Sequence, residues 1–124
     1  HLAALIDVAE SIAKPDLYFD VKVRATYNVL KASKGVSTFV FASLSAVYGE
    51  SVRLSIPEEH PLNPKSPYAA SKISCEAFIT ALSELYGFRP VILRLFNVYG
   101  SKQSRAHARL EDGLRDLMSM YGTR

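Results

Sequence analysis

The sequence predicts an α/β chain in which helices cover a parallel sheet. Three observations carry this expectation. Two short, almost wholly apolar runs, Thr38 to Ser43 and Pro90 to Val98, have the length and the branched or aromatic content of buried parallel strands. A helical pattern over 16–33 precedes the first run, and a second one from Pro67 to about Tyr86 separates the two. Two strands with a helix between them are most simply joined by a right-handed crossover, which makes them parallel neighbours in a doubly wound sheet.

Each element has its own signal. Over 16–33, Tyr18, Val21, Ala25, Val29 and Ala32 recur at helical spacing, Phe19, Val23 and Leu30 add a second apolar side, and Gly35 is available as a C-terminal stop. Two apolar sides predict a helix covered twice, by a sheet and by another helix. From Leu44 to Ser66 the chain turns polar and is broken by Pro57, Pro61 and Pro64, an irregular excursion long enough to suggest a functional loop. Ser66 reads as an N-cap and Pro67 as the first residue of the next helix, which places Ala70, Ile73, Ala77, Ala81 and Leu85 on one side, Phe78 and Leu82 on the flank, and ends at Gly87. The second strand is interrupted only by Arg94. The tail, with Leu110, Leu114, Leu117, Met118 and Tyr121, predicts one more amphipathic helix, weakened by Gly113.

Composition narrows the functional classes. At 124 residues, 48% hydrophobic and 22% charged, the chain is one domain's worth and can bury a core. No apolar run approaches the roughly 20 residues needed to cross a bilayer, and the first residues lack a basic segment followed by an apolar block. These features predict a cytoplasmic protein with no membrane partner. The single cysteine, Cys75, can form no internal disulfide, which fits a reducing compartment and a packed thiol better than a nucleophile. The net charge of +3 is spread along the chain and not interleaved with aromatics, which argues against nucleic acid and leaves small anions as the better ligand class. His1, His60, His107 and the acidic residues show no metal-ligand spacing.

The candidate chemistry lies in Ser66-Pro67-Tyr68-Ala69-Ala70-Ser71-Lys72. A tyrosine four residues before a lysine puts a phenol and an ammonium on one helix face. Tyr68 falls in the opening turn, where free backbone N–H groups and the positive end of the helix dipole favour an anion. Both influences are expected to pull the phenol below its ordinary value of about 10, toward the range of a general base. Spacing alone also fits an ordinary exposed helix pair, so the neighbouring motifs decide. Ligands of doubly wound sheets gather at the carboxyl ends of the strands, where Ser43 to Gly49 and Asn97 to Gly100 emerge and where the Tyr68 helix begins.

Four segments stand in one order: His1-Leu2-Ala3-Ala4, Phe41-Ala42-Ser43-Leu44-Ser45-Ala46-Val47-Tyr48-Gly49, Ser66 to Lys72, and Arg94-Leu95-Phe96-Asn97-Val98-Tyr99-Gly100. In that order the chain resembles the extended short-chain dehydrogenase/reductases, specifically the NAD-dependent nucleotide-sugar epimerase/dehydratase family. The resemblance runs over 1–103, which it implies to be the C-terminal part of a doubly wound Rossmann-type parallel sheet, followed by a divergent helical tail over 104–124. It implies that Tyr68 takes a proton from a sugar hydroxyl while a hydride passes to nicotinamide, and that Lys72 holds the cofactor ribose and lowers the tyrosine pKa. Ala3 and Ala4 would run beside the NAD cofactor, and Asn97 would contact the substrate diphosphate. The helices containing Val21 and Ala77 resemble those that pair two subunits, which implies a homodimer acting on a nucleotide sugar.

The departures from the family pattern are specific. Leu44 stands where the family places a catalytic serine or threonine; Ser43 and Ser45 flank it, Ser43 as the hydroxyl candidate for catalysis and both as candidates for substrate contact, although alternation along a strand turns them away from that direction. Lys22 replaces an asparagine, Ala25 a glycine, and Ile6 a lysine found in some relatives. The Gly-x-x-Gly-x-x-Gly loop that seats a pyrophosphate is missing, together with the first strands. Two readings follow: the tyrosine-bearing part of an NAD-dependent epimerase or dehydratase of UDP- or dTDP-hexoses, or a catalytically inactive remnant that serves as an oligomerising or interaction module.

Overall fold

A computed structural model of the chain describes residues 1–49 and 55–96. The order is α1 (Val8–Ala13), α2 (Pro15–Tyr18), a π-helical segment (Phe19–Arg24), α3 (Ala25–Ala32), β1 (Thr38–Leu44), a 3₁₀ turn (Ser45–Tyr48), α4 (Pro67–Tyr86) and β2 (Arg89–Leu95). The strands pair in parallel, from Thr38 opposite Arg89 to Leu44 opposite Leu95, so the α/β crossover expected from the sequence is present. The expected tail helix and the last residues of the second strand lie outside the described residues.

Local chemistry explains the best-defined boundaries. Ser66 accepts the Ala69 N–H at 3.1 Å at the start of α4, Pro67 occupies the first helical position without wasting a donor, and Gly87 closes the other end in the left-handed region at φ 72°. The α1 helix, which the apolar pattern does not announce, is capped by Asp7, whose carboxylate accepts the Glu10 N–H at 2.7 Å.

The core lies between the helices and one face of the sheet: Val23, Leu30, Phe39, Phe41, Cys75, Ile79 and Phe88, with Leu82, Tyr86 and Ile92 against it. On the opposite face Val40, Leu93 and Leu95 are more than two-fifths exposed, so among the described residues the helices cover only one side. Two expected helix faces are corrected. In the first helical stretch the buried stripe is Tyr18, Lys22, Thr26 and Leu30, while Val29 and Ala32 are exposed, because the π segment Phe19–Arg24 changes the advance per turn and the sheet covers one side alone. In α4 the buried face carries Tyr68, Ser71, Lys72, Cys75, Glu76, Ile79 and Ser83, whereas Ala70, Ala77, Ala81 and Leu85 are exposed. The polar side of α4 faces inward because partners on β1 and β2 satisfy it.

Candidate active site

The site is built on the first three turns of α4. Spacing of four places Tyr68, Lys72 and Glu76 on one face, and all three are buried. The Lys72 Nζ donates to the Ala42 carbonyl at 2.6 Å and lies 4.6 Å from the Phe41 ring centroid, which anchors the amine two residues before β1 ends. The Tyr68 hydroxyl makes no hydrogen bond to Lys72 or to any other described residue. Its ring packs edge-on against Tyr18, with centroids 6.2 Å apart.

The opening turn corrects one expectation. The Tyr68 N–H donates to Ser11 Oγ at 3.2 Å, the Ala69 N–H to Ser66 Oγ and the Ala70 N–H to the Ser66 carbonyl at 2.9 Å. These donors are therefore already used inside the protein and do not point at a ligand. Burial, meanwhile, pushes the Tyr68 phenol up from its ordinary value. It also pushes the Lys72 amine down, against a smaller opposing pull from Cys75 and Glu76. In the protein alone the Tyr68 shift thus runs opposite to the expected downward pull, and its cause is desolvation of the phenolate.

Lys22 completes the buried cluster. It is 2% exposed, its Nζ finds no hydrogen-bond partner among the described residues, and that nitrogen lies 4.1 Å from the Tyr68 ring centroid and 5.8 Å from that of Tyr18. Burial first, and the charge of Lys72 second, push its pKa down to about 8. Cys75 is buried and donates its thiol to the Lys22 carbonyl at 3.4 Å, in keeping with a packed thiol.

The flanking hydroxyls are divided. Ser43 is buried on the helix-covered face and donates to the Glu76 carboxylate, so it is occupied inside the core. Leu44 and Ser45 are half-buried at the junction of β1 with the 3₁₀ turn, Ala3 is exposed and Ala4 half-buried. Asn97 lies outside the described residues. Sequence reasoning missed Glu76 and the use made of Arg94: Arg94 Nη2 and Nε donate to Glu76 at 2.8 and 3.1 Å, while its Nη1 donates to Tyr48 Oη at 2.9 Å and the Glu58 carbonyl at 3.1 Å. The signal was present, since Glu76 follows Lys72 at helical spacing and Arg94 is the lone charge in the apolar run Pro90 to Val98. Tyr48, Ile56, Glu58, Arg94 and Phe96 line a cavity of about 600 Å³ beside this network.

A parallel α/β unit that presents a buried tyrosine and lysine from the helix after a strand defines the short-chain dehydrogenase class. The family model described as GDP-mannose 4,6 dehydratase matches residues 1–111, and the chain belongs to that family. UDP-glucose 4-epimerase of Streptomyces lividans is 34% identical over 98% of this chain and 41% of its own length. UDP-glucose 4-epimerase of Thermus thermophilus, solved in complex with NAD, superposes with a TM-score of 0.78 at 42% identity over 84% of this chain and 35% of that one. UDP-N-acetylglucosamine 4-epimerase of Methanobrevibacter ruminantium, solved with UDP-N-acetylmuramic acid, gives 0.81 at 35% identity over 97% of this chain and 40% of that one. The chain therefore spans about two-fifths or less of the length of these relatives. No helix among the described residues is long and apolar enough to cross a membrane, and no three of their His, Cys, Asp or Glu side chains group as metal ligands.

Proposed function

We propose that this chain is the tyrosine-bearing part of a cytoplasmic, NAD-dependent nucleotide-sugar epimerase or dehydratase. The observation that carries the reading is the Tyr68 hydroxyl, left without a described partner on the same buried helix face as the anchored Lys72 amine.

The residues suit a nicotinamide cofactor. A lysine ammonium has three N–H donors, and Lys72 uses one on Ala42, which leaves two for the adjacent hydroxyls of a ribose. Ala3 and Ala4, with minimal side chains, would let backbone approach the cofactor. When bound, NAD supplies the hydride acceptor and donor for transient oxidation of a sugar carbinol. Tyr68 Oη accepts the hydroxyl proton, because a carbinol becomes a carbonyl only if the O–H proton departs with the hydride. Lys72 stabilises the phenolate once the pocket is filled and water excluded. Ser43 reaches the ligand only after releasing Glu76, and Ser45 is the freer hydroxyl; with Asn97, both are proposed substrate contacts. The relatives' UDP-sugars make a nucleotide sugar the proposed substrate.

A second reading, an inactive remnant acting as an interaction module, is favoured by Leu44 at the hydroxyl position and by the exposed apolar sheet face of Val40, Leu93 and Leu95. Titration with NADH, followed by nicotinamide fluorescence, separates the two. Saturable binding that disappears in the Tyr68→Phe/Lys72→Ala double variant supports the cofactor site; absence of binding at millimolar NADH supports the remnant.

A further inference from the structure

We propose that Lys22 is a positioning residue of the Tyr68 site: its amine, buried without a described hydrogen-bond partner against the face of the Tyr68 ring, is the counter-charge held ready for the phenolate form. This rests on the reading of Tyr68 as proton acceptor and adds to it a residue from a different element.

The geometry is unusual for a lysine. A buried ammonium normally finds an acceptor, because leaving one without a partner is costly. Here the side chain runs from the π-helical segment into the core, and its nitrogen meets aromatic faces, Tyr68 at 4.1 Å and Tyr18 at 5.8 Å. A cation over a neutral ring gains from the ring's negative face, and it gains more when the ring carries a full negative charge. The same contact that is modest with a phenol is therefore strong with a phenolate. π segments are rare and are frequent at functional sites, and this one carries both Lys22 and Val23 into the interior.

The neighbours leave the role open to Lys22. Tyr18, from α2, uses its hydroxyl on the Asp7 carbonyl at 2.5 Å and on Glu10. From α4, Lys72 is tied to β1, Cys75 is a buried thiol donating to the Lys22 carbonyl, and Glu76 is neutralised by Arg94. His1 reaches the cluster through its ring nitrogen on Thr26 of α3, at 3.1 Å. No carboxylate among the described residues bonds to the Lys22 amine, and the other ionisable neighbours, Tyr18 and Cys75, hold their protons in hydrogen bonds, so Tyr68, whose hydroxyl has no described partner, is the group proposed to become an anion beside it. With the amine's pKa pushed down to about 8, its charge is present at neutral pH and lost just above it.

The test is an NMR titration of the full chain labelled with [ζ-¹³C]tyrosine, the Tyr68 signal being assigned by its loss in Tyr68→Phe. In the parent chain the Tyr68 signal steps near pH 8 as Lys22 releases its proton, before the phenol itself ionises. Lys22→Met removes that step and leaves the Tyr68 midpoint where it was, because the parent's amine is already neutral when the phenol ionises. Lys22→Arg, whose charge persists where the lysine's is gone, also removes the step and lowers the midpoint by one pH unit or more, a roughly tenfold stronger acid, and an unlowered midpoint overturns the proposal. Absence of a step in the parent, or its survival in either variant, overturns the proposal; if neither variant folds, the parent titration alone decides. NADH binding is read separately. Binding without the step removes Lys22 alone, and the step without binding removes the cofactor reading while the Lys22–Tyr68 coupling stands.

Discussion

Arg94 grips Glu76 from the strand side, Nη2 at 2.8 Å and Nε at 3.1 Å, so the last described strand is fastened to the middle of the helix that carries Tyr68 and Lys72. The Glu76 carboxylate also accepts from Ser43, and the far side of the guanidinium holds Tyr48 and Glu58. One ion pair thus joins β1, β2, α4 and the segment after the 3₁₀ turn.

Breaking that pair is expected to cost more than an exposed pair would. The Glu76 side chain is 6% exposed and that of Arg94 25%, so removing the carboxylate leaves a largely desolvated cation. Glu76→Ala should lower stability by about 2–4 kcal/mol, somewhat less than for a wholly buried pair because Arg94 reaches some water. Urea unfolding of Glu76→Ala, Arg94→Ala and the double variant forms a thermodynamic cycle. A coupling of about 1.5 kcal/mol or more is expected, and strictly additive losses would show that the pair is not the joint described here.

Gly49 is required for a different reason. It sits at φ 69° after the 3₁₀ turn, and a Cβ there would lie 2.2 Å from the Asn63 backbone oxygen, in a segment already tied by the Asn63 N–H donating to the Val47 carbonyl at 2.9 Å. Gly35 shares the positive φ, at 87°, but a Cβ there would meet nothing within 4 Å. Gly49→Ala should therefore destabilise by about 1–3 kcal/mol and by clearly more than Gly35→Ala, since only the first adds a backbone collision to the conformational cost. Thermal melts of the two variants check this. Equal losses would mean that φ alone matters.

The buried amine of Lys22 gives stability a distinctive pH dependence. Its folded pKa of about 8 lies below the unfolded value near 10.5, so between those values the unfolded chain binds more protons and this group makes stability rise with pH. Below pH 8 the folded state carries the whole cost of the buried charge, on the order of 3 kcal/mol for such a shift. Lys72 acts in the same direction, whereas Cys75, Tyr18 and Tyr68, whose pKa values are raised, make stability fall again at higher pH as they ionise in the unfolded chain. Comparison with a variant isolates the Lys22 contribution. Lys22→Met should be more stable than the parent below pH 8, with an advantage that shrinks steadily up to pH 10.5. Denaturant midpoints across that range measure it, and a constant difference would show that Lys22 does not titrate as described.

What could be read from the sequence follows the range of the forces involved. Ser66, Pro67 and Gly87 delimit α4 because capping is decided within one turn, and the apolar runs gave both strands because burial on a sheet needs a short uninterrupted stretch. The six-residue α1 escaped because it has no periodic stripe, although Asp7 with Glu10 three residues on is a capping signal. The inward face of α4 was misjudged for a non-local reason. Hydrophobicity favours burying Ala77, Ala81 and Leu85, but Lys72 meets Ala42 and Glu76 meets Arg94 across 30 and 18 residues of sequence. The pairing of Tyr68 with Lys72 on one face was legible from spacing, while the capture of the Tyr68 N–H by Ser11, 57 residues away, was not.

The outward face of the helices predicts self-association. Phe19, Tyr27, Phe78 and Leu85 are between 36% and 74% exposed, and Tyr27 and Phe78 already pair across α3 and α4 with ring centroids 5.6 Å apart. The family resemblance implies a subunit contact on these same helices, and an apolar surface of this kind is normally covered. Phe78→Asp with Leu85→Asp puts two charges on that face and leaves the buried side of α4 untouched, so the variant should keep its helical circular dichroism. Sedimentation of the parent should show a dimer growing with concentration, and the variant should sediment as a monomer throughout. A parent that stays monomeric at high micromolar concentration, or a variant that associates as strongly as the parent, would rule this face out as the contact.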